Sequence, residues 1–232
     1  MSDSLVNYTL ENTIAVIQMD DGKVNALSHA MLDALDEALD QAEKEAKAVV
    51  LTGREGKFSA GFDLKVMASS PQAARDLIKQ GGGVFMRLYG LPMPLVIACS
   101  GHAIAGGALI TLCGDARIGI DGPFKMGLNE VAVGLPLPII ALELAQNRLS
   151  PQALSAATLG AYIYEAKESV AAGFLDRVVE GDALMPSAMQ AATALAQYNP
   201  VAYQQTKQRL RGLTIDYVNE TIDEDLANFG LG

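Results

Sequence analysis

One acid stands out by its surroundings. Glu130 is the lone acid in the largely apolar, glycine-punctuated run Met126-Gly127-Leu128-Asn129-Glu130-Val131-Ala132-Val133-Gly134-Leu135. Burial disfavours the carboxylate and raises its pKa toward neutrality, where the group can both take and return a proton. Two further stretches, Ser59-Ala60-Gly61 and Ala105-Gly106-Gly107, carry almost no side-chain volume. The first N–H groups of a helix lack internal partners and favour negative charge. Two such donors, brought from separate loops, are the equipment for holding an acyl oxygen as it becomes an oxyanion. Each stretch alone reads equally as close packing of a helix on a strand, and Glu130 alone as a loop acid or a salt-bridge member.

The elements that must position these residues follow from the apolar pattern. Val49, Val50 and Leu51 form a strand before the turn from Gly53 to Gly56, and Leu95, Val96, Ile97 and Ala98 form another after Pro92 and Pro94. Both are continuous apolar runs, as expected for buried strands. Gly106 then opens a helix through Leu109, Ile110 and Leu112, and residues 115–120 form a further strand leading to the turn at Gly122 and Pro123. Upstream, residues 6–19 read as two strands joined at Glu11 and Asn12, and a turn at Asp20-Asp21-Gly22 leads to a helix capped by Ser28. Its stripe is Leu27, Met31, Leu35, Ala38, Leu39 and Ala42. Ser70 and Pro71 start a helix reaching toward Tyr89, which Gly81, Gly82 and Gly83 are expected to weaken or bend at the edge of the ligand cavity.

Residues 139–149, 151–160, 165–172 and 183–198 read as helices, with a short strand near Val178 and Val179. Asn199 and Pro200 mark the clearest boundary, dividing a core of residues 1–198 from a helical region of residues 199–232, in which 201–211 and 214–229 are expected as separate helices. Short strand, loop and helix recur through residue 140. That progression suits either a superhelical α/β fold or an open doubly wound sheet.

Composition excludes several classes. The 232 residues carry 17 Lys and Arg against 27 Asp and Glu, a formal charge of -10, which argues against a nucleic-acid partner. Lys23, Arg54, Lys57 and Lys65 nonetheless lie near the small-residue loops and leave room for an anionic ligand. No early strand feeds a GxGxxG, and no Lys-Ser/Thr pair follows the three glycines, so neither a dinucleotide site nor a phosphate loop is expected. Cys99 and Cys113 read as buried thiols, and neither they nor His29 and His102 have the spacing of a metal site. Neither a secretory signal nor a membrane span is expected, and the expected compartment is the cytoplasm.

Taken together, several motifs resemble the crotonase superfamily, the enoyl-CoA hydratase/isomerase family. They are Lys23-Val24-Asn25-Ala26-Leu27, Phe58-Ser59-Ala60-Gly61-Phe62-Asp63-Leu64, Ala103-Ile104-Ala105-Gly106-Gly107, Asp115-Ala116-Arg117-Ile118 and Gly127-Leu128-Asn129-Glu130, with a later piece from Glu165 to Val179. The resemblance implies a crotonase-like α/β spiral of ββα units with C-terminal helices, assembled as a homo-trimer or a dimer of trimers. It implies an acyl-CoA substrate, with coenzyme A carried by the substrate and no separate catalytic cofactor. It places the backbone N–H groups of Ala60 and Gly106 at the thioester oxygen. Lys23, Val24, Ala26, Ser59, Gly61, Asp63 and Gly107 fall along the CoA portion. Phe62, Val66, Met67, Val84, Phe85, Leu109 and Leu135 are the expected lining of an apolar acyl cavity. The close of the sequence soon after Phe229 gives the expectation of a shortened covering helix.

The carboxylates separate the reactions. A hydratase of this family carries one glutamate shortly after the second oxyanion glycine and another after the next strand; the matching positions here are Leu109 and Glu130. Leucine at 109 together with Gly127-Leu128-Asn129-Glu130 resembles the delta-3, delta-2-enoyl-CoA isomerase branch, in which Glu130 is the single base and acid. Hydratase, thioesterase, decarboxylase and dehalogenase chemistry, or acyl-CoA binding without turnover, are the alternatives.

Overall fold

The computed structural model describes residues 4–228. In chain order the elements are β1 (Val6–Glu11), β2 (Ile14–Met19), β3 (Ala26–Leu27), α1 (His29–Glu45), β4 (Ala48–Thr52), β5 (Gly56–Ser59), β6 (Gly61–Phe62), α2 (Leu64–Met67), α3 (Pro71–Gly90) and β7 (Leu95–Cys99). There follow β8 (Gly101–Ile104), α4 (Gly106–Cys113), β9 (Ala116–Ile120), β10 (Lys125–Gly127), α5 (Ile139–Arg148), α6 (Pro151–Thr158) and β11 (Tyr164–Glu165). The chain then closes with α7 (Ala166–Ala172), β12 (Arg177–Val179), α8 (Leu184–Leu195) and α9 (Pro200–Ala227).

Three times the chain makes a strand in one sheet and then a short strand in another. The pairs are β4 and β5, β7 and β8, and β9 and β10. The larger sheet has the order β1-β2-β4-β7-β9-β12 and the smaller β11-β10-β8-β5. Only β1 and β2 pair antiparallel in the larger sheet. A buried parallel sheet needs cover on both faces, which explains the unbroken apolar strands. Here α8 packs on one face with Ile14, Val16, Val50, Val96 and Ile118, while the other faces the main core. This is the spiral of ββα turns, and its short strands carry the loops that matter for chemistry.

Ser28 caps α1, accepting from Met31 N at 3.2 Å, and Ser70 caps α3, accepting from Ala73 N at 3.1 Å, as the sequence predicts. The glycines of α3 behave differently from expectation. The helix runs unbroken through Gly81, Gly82 and Gly83. Each glycine costs a helix about 1 kcal/mol relative to alanine, but packing outweighs propensity in a buried helix. A β-carbon at Gly82 would stand 2.6 Å from Ile222 Cδ1, and one at Gly90 2.8 Å from Ile215 Cδ1. Glycine there lets α9 lie close against α3.

The expected break after Arg211 is also absent, since α9 continues through Gly212. Its first half is anchored by charge and its second by apolar contact. Lys207 Nζ lies 2.5 Å from Asp115 Oδ2 and Arg211 Nη1 2.9 Å from Asp115 Oδ1, all three side chains less than a tenth exposed. Val218, Ile222 and Leu226 are buried on the same helix. Asp225 Oδ2 accepts from Ile139 N at 2.8 Å, supplying to α5 the cap that Pro138 cannot. Phe229, the expected end of the last helix, lies outside the described residues.

Burial pulls the Lys207 ammonium down to about 8, against the pull of Asp115. Asp115 also accepts from Leu95 N at 2.8 Å. Removing Asp115 leaves two buried cations without compensation, at a cost of about 3–5 kcal/mol, whereas removing Lys207 leaves Asp115 still paired with Arg211. Asp115→Ala is therefore expected to lower the denaturant midpoint sharply in equilibrium unfolding, and Lys207→Met, which removes a charge and keeps the volume, to cost much less.

Candidate active site

Asn25 organises the first loop. It is fully buried with φ 54°, in the left-handed region that asparagine tolerates better than most residues. Its Nδ2 donates to Met19 O at 2.9 Å, Lys57 O at 3.2 Å and Phe58 O at 3.0 Å, stitching the loop to β2 and β5. Asp21 receives the N–H groups of Lys23, Asn25 and Ala26. Although burial works against its charge, these bonds hold the carboxyl below its ordinary range. Neither residue is an expected site residue; asparagine three positions after an Asp-Gly turn is the signal that marks the knot.

Ser59 is fully buried, and its hydroxyl is spent on structure. It donates to Asn25 O at 2.7 Å and accepts from Gly61 N at 3.1 Å. Ser59 therefore braces the loop from beneath, which corrects its expected place along CoA. Asp63 accepts from Lys65 N at 2.8 Å and caps α2. Gly107 packs on Ser59 so closely that a β-carbon would stand 2.9 Å from Ser59 C. Lys23 and Val24 are exposed and Ala26 is half-buried, leaving this edge open to a ligand.

The expected donor from this loop is Ala60, and the hydrogen bonding moves it. Ala60 N already donates to Val24 O at 3.0 Å. Gly61 N is held by Ser59 Oγ, and Asp63 N donates to Leu27 O at 3.2 Å. In a parallel ladder alternate residues bond the neighbouring strand. With Leu27 opposite Phe62, the N–H of Phe62 faces away from β3. Phe62, two residues on from Ala60, thus presents the loop's free donor.

The second loop meets it directly. A β-carbon on Gly61, whose φ is +87°, would stand 2.9 Å from Ala105 Cβ and 3.1 Å from Gly106 N; one on Gly106 would stand 3.5 Å from Gly61 Cα. Only bare backbone allows this approach. Ala105, at φ 51°, turns the chain into α4 without a side-chain cap, so Gly106 and Gly107 open the helix with N–H groups that have no internal acceptor. Behind them lies Phe85, its Cζ 3.4 Å from where a Gly106 β-carbon would stand.

Glu130 enters through the third spiral turn. Gly127 pairs with Ile104, and Ala105 N donates to Gly127 O at 2.9 Å, fastening the loop after β10 to the turn that carries Gly106. Glu130 begins a 3-10 turn, with Leu135 N donating to its carbonyl at 2.9 Å and Gly134 closing the turn at φ 82°. Its Oε2 is shut off from solvent and has no hydrogen-bond partner among the described residues. Burial raises the carboxyl to about 7.

Leu109 is 1 % exposed and packs into the core. Val84 and Phe85 are likewise buried, while Phe62, Val66, Met67 and Leu135 are half-buried. Phe62 and Met67 pack against Ile78, Ile222 and Leu226, so α9 packs on the side of the loops that carries Phe62. A concavity of about 690 Å³ beside Thr52, Ser100 and Asp121 and another of about 510 Å³ beside Tyr203 and Lys207 lie apart from these residues. Burial, with Lys57 and Lys125 nearby, lowers the pKa of His102, whose Nδ1 accepts from Lys125 N at 3.0 Å. Burial pushes the thiols of Cys99 and Cys113 up to about 12.

A sequence profile of the enoyl-CoA hydratase/isomerase family matches residues 9–230. The chain belongs to that family. It is 32% identical to the human mitochondrial enoyl-CoA delta isomerase 1 over 224 residues, covering 93% of this chain and 73% of the relative. The structure of human mitochondrial delta3-delta2-enoyl-CoA isomerase superposes with a TM-score of 0.92 at 30% identity, covering 97% of this chain and 90% of that one. An enoyl-CoA hydratase/isomerase family protein from Pseudomonas syringae gives a TM-score of 0.94 at 40% identity, with 97% of each chain covered. An enoyl-CoA isomerase from Mycobacterium tuberculosis gives 0.93 at 40% identity, covering 99% and 100%. The family is enzymatic, and acyl-CoA is the substrate class that its membership supports. Among the described residues no helix is long and apolar enough to cross a membrane.

Because the Glu130 carboxyl is raised above its unfolded value, it weakens the fold when ionised. The penalty is absent below about 4.5, where both states are protonated, grows with pH, and is complete above about 7. Glu130→Gln should therefore raise the melting temperature at pH 8 and leave it nearly unchanged at pH 4. Equal shifts at both pH values would show that buried charge is not the cause.

Proposed function

We propose that the protein is a delta-3, delta-2-enoyl-CoA isomerase, converting 3-enoyl-CoA to trans-2-enoyl-CoA. The observation that carries this reading is the half-buried Glu130, whose Oε2 is shut off from solvent with no hydrogen-bond partner among the described residues, while the other family acid position is occupied by buried Leu109. Moving a double bond needs one group that takes a proton and returns it. Adding water normally calls on two.

In this reading Glu130 removes a proton from C2 of the 3-enoyl thioester. The electron pair passes through the conjugated system to the thioester oxygen, giving a dienolate, and the proton returns at C4. The backbone N–H groups of Gly106 and Phe62 receive the oxygen, with Phe62 replacing Ala60 because Ala60 N is committed to Val24 O. These donors accelerate the step only by binding the enolate more strongly than the thioester. A carboxyl near neutrality suits both halves of the transfer, since it is a competent base and its acid form is a competent donor.

Lys23, Val24 and Ala26 form the exposed edge along which the CoA portion lies, while Phe62, Met67 and Phe85 contact the acyl portion. Coenzyme A arrives as part of the substrate, and no separate cofactor takes part. The assembly is a homo-trimer or a dimer of trimers. Hydratase chemistry is the second reading, supported by a 30% identical relative from Thermus thermophilus described as a putative enoyl-CoA hydratase.

A product-resolved assay across a chain-length series of 3-enoyl-CoA substrates decides between them. The expected product is 2-enoyl-CoA without 3-hydroxyacyl-CoA; hydration or hydrolysis as the main outcome would overturn the reading. Glu130→Gln should lower kcat by roughly 10²–10⁴ with CoA-ester binding retained. Since the base must be ionised, kcat/KM should rise tenfold per pH unit below about 7 and level off above it. A flat profile from pH 5 to 9 would remove Glu130 from the role.

A further inference from the structure

In the glycine run of α3 one position faces neither α9 nor open space. Gly82 makes room for Ile222, and a β-carbon at Gly83 would meet nothing within 4 Å. Gly81 is different. A β-carbon there would stand 2.6 Å from Cζ of the Phe62 ring and closer still to Cε1. The ring lies over bare helix backbone.

Phe62 is also the residue whose N–H is left free at the meeting of the two loops. Its strand, β6, is two residues long, tied at one end by Gly61 N to Ser59 Oγ and at the other by Asp63 N to Leu27 O. A ladder this short gives little resistance to a push on its side chain. The half-buried ring is flanked on its packed side: Phe85 lies at 5.8 Å between centroids, and Ile78, Ile222 and Leu226 pack beside it, so a push from Gly81 is not taken up there. Packed interiors transmit such a displacement instead of absorbing it.

We propose that Gly81 is a positioning residue: by leaving a socket for the Phe62 ring it sets where the Phe62 N–H points, and with it the geometry of the oxyanion site. This rests on the assignment of Phe62 N–H as an oxyanion donor. Such donors must lie about 2.7–3.1 Å from the oxyanion, so a displacement of a few tenths of an ångström at the ring is enough to spoil one.

The test is a cycle of Gly81→Ala, Phe62→Leu and the double variant, with Gly83→Ala as a control on the same helix. Two readouts are taken: kcat and KM for 3-enoyl-CoA, and the infrared red shift of the thioester carbonyl when octanoyl-CoA labelled with ¹³C at that carbon binds. Gly81→Ala should lower kcat about tenfold with KM changed less than about twofold, and should shrink the carbonyl shift. In the Phe62→Leu background, where the ring is gone and the N–H kept, the same glycine change should cost less than about twofold in kcat and leave the carbonyl shift unaltered. Gly83→Ala should change neither readout.

Equal losses in both backgrounds, or a full carbonyl shift in Gly81→Ala, would overturn the socket. If Gly81→Ala fails to fold, the double variant decides. Matching Phe62→Leu in kcat and carbonyl shift supports the proposal, and folding with the shift lost overturns it. The two claims are separable. Wild-type protein that polarises the bound carbonyl without isomerising 3-enoyl-CoA would defeat the reaction assignment, while the carbonyl cycle still judges Gly81. Wild-type protein that leaves the carbonyl unshifted would defeat the oxyanion assignment and the socket with it.

Discussion

The site depends on bare backbone meeting bare backbone at Gly61 and Gly106. A single methyl group on either would fall within 3.1 Å of the opposite loop or of a packed side chain. That contact fixes how far apart two N–H donors stand, and everything around it serves to hold the distance. Asn25 and Ser59 tie the first loop down from inside, Ala105 accepts an unfavourable backbone angle to turn the second, and the bond from Ala105 N to Gly127 O brings the glutamate loop to the same place. The spiral makes this possible because each of its turns ends a short strand beside the last.

Much of this was legible from residue types. Ser28 and Ser70 mark helix starts because their hydroxyls can take an orphan N–H, and the apolar runs at Val49 and Leu95 mark strands that cannot face water. Glu130 is conspicuous because a charged group among apolar neighbours needs a reason. What stayed hidden depends on parity and contact. Every residue but proline carries an N–H, so no side chain reveals that Ala60 turns its own toward Val24 while Phe62 turns outward. Only strand register decides it. The three glycines of α3 mislead in the same way, because propensity counts what a glycine loses along its own helix and is blind to Ile222 and the Phe62 ring arriving from elsewhere. Gly212 misleads likewise, since Arg211 is already anchored across the core.

The chain treats its buried charges in two opposite ways. Asp115 is surrounded by Lys207, Arg211 and a backbone donor, and its charge is fully answered. Glu130 is given nothing on one oxygen. An answered charge serves the fold, because nothing is gained by moving its proton. An unanswered one gains or loses its proton near neutrality, and the fold bears the cost of its ionised form.

The bond from Ile139 N to Asp225 spans 86 positions, and that from Lys207 to Asp115 spans 92. Both join the last helix to segments that leave the ribosome much earlier. Until residues 207–225 emerge, Asp115 lacks both of its cations and the start of α5, shortly beyond the glutamate loop, lacks its carboxylate. Packing of α5 and of the face around Phe62 and Met67 is therefore completed only once the final helix is made, and until then that apolar face stays open to water or to chaperones.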